Sequence, residues 1–136
     1  FIPLQPCRLL DTRADAPGQL GPGVIAAVHA GGRCGVPDDA IALSLSIAST
    51  RSTADGYLTL WPSESVRPAT ATLTFAASET RSNGAVVPTS ADASFGVFAN
   101  AETHVIIDVT GAFVPAERAT SGRFVPLAPA RAFPHR

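Results

Sequence analysis

Residues that could carry catalytic chemistry are few in this sequence of 136 residues, and they lie far apart. A nucleophilic centre needs a serine or cysteine beside a histidine that a carboxylate orients. The histidines are His29, His104 and His135, and no G-x-S-x-G segment accompanies them. The eleven acidic residues offer no spacing that singles out a pair for glycoside hydrolysis. The sequence therefore predicts a protein that is not an enzyme.

Cofactor, metal and nucleic-acid sites are not indicated either. Glycine-rich phosphate loops and the basic, aromatic motifs of nucleic-acid-binding proteins are missing. Ten arginines stand against eleven acids, so the net charge is -1 and no field draws nucleic acid or an anionic membrane. No apolar run approaches the ~20 residues that span a bilayer. We expect no cofactor, no metal, no nucleic-acid partner and no membrane insertion.

The two cysteines, Cys7 and Cys34, raise the question of a bridge or a metal site. Neither belongs to a C-x-x-C pair, and no histidine lies at ligand spacing from either, so zinc is poorly supported. A disulfide is the favoured interpretation, and two buried free thiols are the alternative. A bridge closing a loop of this size stabilises the fold by about 3 kcal/mol in the chain-entropy estimate, and it indicates an oxidising compartment.

The segment R-L-L-D-T-R at 8–13 places one acid, Asp11, between Arg8 and Arg13. Each arginine can form a bidentate pair with the carboxylate, and Thr12 can bond to nearby backbone. In a strand, Asp11 and Arg13 share a face. We therefore expect an ion pair that orders the start of the chain and has no catalytic purpose.

The segment G-Y-L-T-L-W-P at 56–62 predicts a strand whose two leucines point inward. The opposite face then carries the only tyrosine and the only tryptophan of the chain with a threonine between them: Tyr57, Thr59 and Trp61. Flat rings beside hydroxyl groups suit a sugar, because sugar C–H faces pack on aromatic rings. These residues form a candidate carbohydrate platform. Alternatively, the rings cover the sheet edge or pack under a neighbouring loop.

Apolar residues alternate with small polar ones in several short segments, which is typical of strands with one buried face. The clearest example is A-I-A-L-S-L-S-I-A at 40–48, where the sequence predicts a buried row. That row consists of Ile41, Leu43, Leu45 and Ile47. The same pattern occurs at 70–76 and 104–113. Shorter candidate strands lie at 24–30, 56–61, 85–88 and 94–99.

Turn-forming pairs such as Pro17-Gly18, Gly31-Gly32, Asp55-Gly56 and Asn83-Gly84 separate these segments. No helical apolar period persists, and twelve prolines and eleven glycines would interrupt one. A chain of this length fits one domain. The sequence predicts an all-β fold: a single β-sandwich or open barrel of about seven to nine short, mostly antiparallel strands with one disulfide.

The two ends of the chain resemble each other, F-I-P-L-Q-P-C-R-L-L-D-T-R at 1–13 and F-V-P-L-A-P-A-R-A-F-P-H-R at 124–136. We expect a β-sandwich module over 1–123 and a strand segment over 124–136 that begins a next repeat or acts as a donor strand. That segment either pairs beside the first strand of its own domain or adds to another subunit. The candidate assembly residues are Phe1, Leu4, Arg8, Asp11, Arg13, Phe124, Leu127, Arg131 and Phe133.

An ordered series of motifs carries a family resemblance: P-C-R-L-L-D-T-R, G-R-C-G-V-P, D-G-Y-L-T-L-W-P, T-L-T-F-A-A-S-E-T-R-S-N-G-A-V-V-P and H-V-I-I-D-V-T-G-A-F-V-P. Over nearly its whole length the chain resembles a β-rich module that recurs in secreted and surface proteins of actinobacteria and some other soil bacteria. The resemblance implies an extracellular location, pairing of Cys7 with Cys34, and an accessory element without an assigned catalytic centre. The second copy departs from the motif, since R-A-F-P-H-R lacks the acid.

Two functions follow as expectations. The first is a non-catalytic structural or adhesive module, extracellular or at the cell surface, that joins copies of itself or neighbouring repeats in a tandem stalk or a surface filament. The second is a carbohydrate- or cell-wall-binding accessory module whose partner is a surface polysaccharide. The terminal segments would mediate association in the structural or adhesive module. The platform would bind the polysaccharide in the carbohydrate-binding module.

Overall fold

Two four-stranded antiparallel sheets face each other in the part of the chain that the computed structural model describes, residues 1–118. The strands are β1 (Ile2–Asp11), β2 (Ile25–His29), β3 (Ala42–Thr50), β4 (Gly56–Pro62), β5 (Leu73–Phe75), β6 (Arg81–Pro88), β7 (Ser94–Ala99) and β8 (His104–Phe113). Sheet I has the order β1-β8-β3-β6, and sheet II has the order β2-β7-β4-β5. None of the described helices is long and apolar enough to cross a bilayer. The prediction of an all-β sandwich is confirmed.

The core lies between the sheets because alternate side chains of each strand point inward. In β3 and β8 every second residue is buried, as the alternation in the sequence predicted. The inner faces of β4 and β7 close the core from the other side. Fully buried apolar side chains include Leu43, Ile47, Leu58, Phe95, Val97, Val105, Ile107 and Val109.

Three local predictions are wrong. The strand predicted at 70–76 spans only Leu73–Phe75. Ile41 precedes β3 and is 53% exposed, so the buried row begins only at Leu43. The pair Asn83-Gly84 does not form a turn, because it lies within β6 opposite Ile47 and Ser46. An unbroken ladder with β3 along the whole of β6 outweighs the local turn preference of two residues.

The two sides of the sandwich are closed differently. On the β1/β2 side, Cys7 is joined by a disulfide to Cys34 in the loop after β2, with the Cα atoms 5.7 Å apart. Arg33 also donates hydrogen bonds there, to the backbone oxygens of Leu9 (2.7 Å) and His29 (3.0 Å). The favoured disulfide is confirmed, and both cysteines of the chain are in it.

The β5/β6 side carries no disulfide. A groove of about 310 Å³ runs between the two edges, lined by residues 71–74 and 81–83. The Asn83 amide donates across it to the backbone oxygen of Thr72 (3.3 Å). The disulfide therefore lies on one side of the sandwich, and the edge of β6 lies on the other.

Candidate functional site

The R-L-L-D-T-R segment forms a cluster of charges at the end of β1. Arg13 donates two hydrogen bonds to the Asp11 carboxylate, from Nε (2.8 Å) and Nη2 (2.7 Å). Arg8 donates to Asp11 (3.1 Å) and also, through Nε, to Asp108 of β8 (2.9 Å). The predicted ion pair is present, and Arg8 extends it across the β1–β8 ladder.

The electrostatics of this cluster fix its charges. Hydrogen bonds from Arg13 hold the pKa of the Asp11 carboxyl well below its ordinary range, and Arg8 adds to the effect. Pairing with Asp108 raises the pKa of Arg8, and pairing with Asp11 raises that of Arg13. A carboxylate held ionised in this way is a poor general acid or base near neutral pH. The ion pairs of Arg8, Asp11 and Arg13 hold the end of the first strand in place, and we call these three residues the brace.

Thr12 has a different partner from the one expected. The sequence predicted a bond to nearby backbone, but the hydroxyl of Thr12 accepts the N–H of Val105 in β8 (2.8 Å). The Thr12 N–H donates in turn to the Val105 oxygen (3.0 Å). Thr12 is 1% exposed, so it is a buried link that continues the ladder after β1 ends. The Asp11–Arg13 pair is correspondingly made in a turn, where Arg13 N–H donates to Asp11 Oδ1 (3.1 Å).

The N-terminal assembly candidates all have contacts within their own domain. The Phe1 ring lies on the Phe113 ring with centroids 5.0 Å apart, and Leu4 packs partly buried against the core. The charged candidates are Arg8, Asp11 and Arg13, which form the brace. The four C-terminal candidates, Phe124, Leu127, Arg131 and Phe133, lie outside the described residues.

The carbohydrate platform is not an open surface. The Trp61 side chain packs over Gly96, is 6% exposed, and donates from Nε1 to the Ser65 oxygen (3.1 Å). The Thr59 hydroxyl donates to the Thr70 oxygen (2.6 Å). The segment 63–72 therefore covers Thr59 and Trp61, which corresponds to the alternative in which the rings pack under a loop. The physical reason is that a buried indole or hydroxyl needs a polar partner, and this segment supplies carbonyl groups.

Tyr57 remains partly exposed in a small aromatic group that the sequence did not reveal. Its ring centroid is 6.3 Å from that of Phe98, and the Arg67 guanidinium lies 3.6 Å from the Phe98 centroid. A shallow groove of about 260 Å³ borders Tyr57 and residues 69–71. Phe98 could not be linked to Tyr57 from the sequence, because their proximity depends on the β4–β7 register.

A serine, a histidine and an aspartate also meet at the end of β2. His29 Nδ1 lies 3.0 Å from Ser94 Oγ and 3.5 Å from Asp92 Oδ2. Both oxygens face the same ring nitrogen, whereas a nucleophilic triad places them on opposite nitrogens so that a proton can pass through the ring. Hydrogen bonding from Ser94 lowers the pKa of Asp92. The arrangement ties a loop to a strand and provides no relay.

The exposed edge of β6 is the other feature that sequence reasoning missed. Backbone N–H and C=O groups point alternately to the two sides of a strand. The Thr89 N–H donates to the Ile41 backbone oxygen (3.1 Å) and continues the β3–β6 ladder. The odd-numbered residues of β6 therefore direct their backbone N–H and C=O groups toward β3. The even-numbered residues Ser82, Gly84 and Val86 turn their N–H and C=O groups away from the sheet. Within residues 1–118 no strand pairs with this side of β6. We call these outward groups the β6 edge.

Comparison with known proteins gives no family. No protein-family model and no curated protein matches the sequence. Among solved structures, the chain is similar to the coat protein of Tobacco streak virus. For the C2 crystal form of that protein, the identity is 13%, the alignment covers 86% of this chain and 95% of that chain, and the TM-score is 0.41. For the coat protein dimer the corresponding values are 12%, 94%, 91% and 0.40. Values this low assign no function to this chain.

Proposed function

We propose that this protein is a non-catalytic extracellular structural module that associates with copies of itself or with neighbouring repeats. The observation that carries the proposal is the outward face of β3 and β6, where two adjacent strands present no charged side chain from 42 to 50 or from 82 to 88. The residues of this face are Ala42, Ser44, Ser46, Ala48, Thr50, Ser82, Gly84, Val86 and Pro88. Two such faces or edges can meet without leaving an unpaired charge in the interface.

The extracellular part of the proposal is supported by the disulfide. Bridges between cysteines persist in oxidising compartments and are rare in the cytosol. The Cys7–Cys34 bridge lies beside the brace of Arg8, Asp11 and Arg13, so the first strand is fixed by two separate devices.

The experiment is sedimentation of the purified chain over a wide concentration range, with and without residues 124–136. We expect dimers or larger species to form from the full chain as the concentration rises. If the shortened chain behaves identically, the terminal segment is not what joins the copies. Two chains that both remain monomeric at the highest concentration would contradict self-association. Images of the native material then show whether the association extends to filaments.

A carbohydrate- or cell-wall-binding role is the second candidate, and the partly exposed Tyr57 ring beside its groove favours it. Retention on insoluble polysaccharides tests it with Tyr57→Ala as the informative variant. Trp61→Ala serves as a control for loss of packing, since that ring is covered. Unchanged retention of Tyr57→Ala would end this alternative, and a clear loss would favour it over self-association.

A further inference from the structure

We infer that β6 pairs antiparallel with β6 of a second copy, across a two-fold axis at Gly84, so that two copies of sheet I become one continuous sheet. The inference rests on the proposed self-association and names its surface. It follows from three features of the β6 edge: its regularity among the strand edges, its self-complementary sequence, and its position on the side of the sandwich away from the disulfide.

The four strand edges of the two sheets differ in how well they could accept another strand. β5 has three residues and β2 has five, with Arg33 already bound to the last carbonyl of β2. β1 is long, but Pro3 and Pro6 lack an N–H and the β1–β8 ladder is shifted twice. β6 has eight residues and pairs with β3 without a shift. Arg81 and Pro88 lie at the two ends of β6, and long, regular edges whose interior lacks charges and prolines are the ones that pair with other chains.

The side chains along β6 permit pairing with an identical strand. With Gly84 opposite Gly84 of the second copy, Ser82 lies opposite Val86, and each of these residues donates and accepts one backbone hydrogen bond. Val86 is 61% exposed in the single chain, and it gains a neighbour in this arrangement. Arg81 lies opposite Val87, so no like charges face each other, and its own partner is Glu79 at 2.7 Å.

A second copy suits the β6 edge better than the terminal segment does. Residues 124–136 include Pro126, Pro129 and Pro134. These three positions cannot donate a backbone hydrogen bond, and they fall on both sides of an extended chain. Ser82, Gly84 and Val86 each retain an N–H, so β6 is the most regular of the strand edges within residues 1–118.

Disulfide trapping tests the register directly. The Cα atoms of a hydrogen-bonded antiparallel pair are ~5.5 Å apart, which is within the range a disulfide spans. Both native cysteines are bonded to each other, so Gly84→Cys introduces the only free thiol. Ser46→Cys is the matched control, because Ser46 is exposed on the same face opposite Gly84 but one strand further from the axis. We expect Gly84→Cys to cross-link at least ~10-fold faster. Equal rates would overturn the register.

Charge exchange tests the pairing in a second way. Apart from its chain neighbours, the atom nearest to a Cβ added at Gly84 would be the Leu45 backbone oxygen, at 3.9 Å. The single chain can therefore accept a side chain at this position. Gly84→Lys and Gly84→Glu should each remain monomeric, because like charges face each other across the axis. An equal mixture should associate again, whereas Ser46→Lys should behave as wild type.

The outcomes separate this inference from the proposed function. A wild-type chain that never associates contradicts both. A wild-type chain that associates, with Gly84→Lys unaffected, contradicts only the β6 pairing. Circular dichroism of each variant establishes that it is folded, and recovery in the Lys and Glu mixture excludes misfolding as the cause of a monomeric single variant.

Discussion

At the scale of single residues, Asp11 links the motif to acid stability. Because hydrogen bonds from Arg13 depress the pKa of Asp11 in the folded state, its contribution to stability is complete above the ordinary carboxyl pKa of ~3.9. The contribution is lost as the pH falls through the lower folded value. We expect Asp11→Asn to lower the free energy of unfolding near neutral pH and to differ little from wild type in strong acid. Denaturant titrations across the acidic range measure this, and a difference that does not change with pH would contradict the assignment.

Thr12 carries the only hydroxyl group of the R-L-L-D-T-R segment, and that hydroxyl should contribute to the stability of the fold. Thr12→Val keeps the shape but leaves the Val105 N–H buried without its partner, so we expect a loss of about 1–3 kcal/mol in the free energy of unfolding. Thr12→Ser retains the hydroxyl and is the matched control. Denaturant melts of the two variants should therefore differ, and equal losses would assign the effect to packing.

The two neighbours Asp11 and Thr12 show what sequence can predict at this scale. The pairing of Asp11 with Arg8 and Arg13 involves residues no more than three positions apart, so residue types and spacing suffice. The partner of Thr12 lies on β8, far along the chain, and only the β1–β8 register brings it near. Local chemistry was predictable, and contacts that depend on strand pairing were not.

At the scale of strands, Gly96 in sheet II and Gly84 in sheet I allow the same substitution to be compared in a crowded and in an open position. A Cβ at Gly96 in β7 would lie 2.8 Å from the Trp61 ring, whereas one at Gly84 in β6 would meet only ordinary contacts. We expect Gly96→Ala to destabilise the fold by about 1–3 kcal/mol through overpacking. Gly84→Ala should be neutral or stabilising by up to about 1 kcal/mol, since glycine weakens a strand interior. Thermal melts at low concentration compare them, and similar losses would show that Trp61 does not pack tightly on β7.

The strands also show why the alternation of apolar residues locates a strand but does not predict which segments pack against it. Alternation placed β3 and β8 correctly, because burial of every second residue is a property of the strand itself. Whether the outer face of β4 is covered depends on the segment 63–72, whose path no periodicity describes. Asn83-Gly84 has the local sequence of a turn, but it lies within a strand because β6 pairs with β3 along its whole length.

At the scale of the whole molecule, the disulfide and the β6 edge lie on opposite sides of the sandwich, so stability and association should separate. Replacing both cysteines by serine removes a cross-link that closes a 27-residue separation. In the chain-entropy estimate this lowers the free energy of unfolding by about 3 kcal/mol. Because distant, independent sites act additively, the dimer dissociation constant of the folded Cys7→Ser/Cys34→Ser variant should stay within about 2-fold of wild type. Denaturant melts and sedimentation of the same preparation give both quantities. If the variant is folded but loses association, the copies meet on the cross-linked side, and the edge at Gly84 is not the contact.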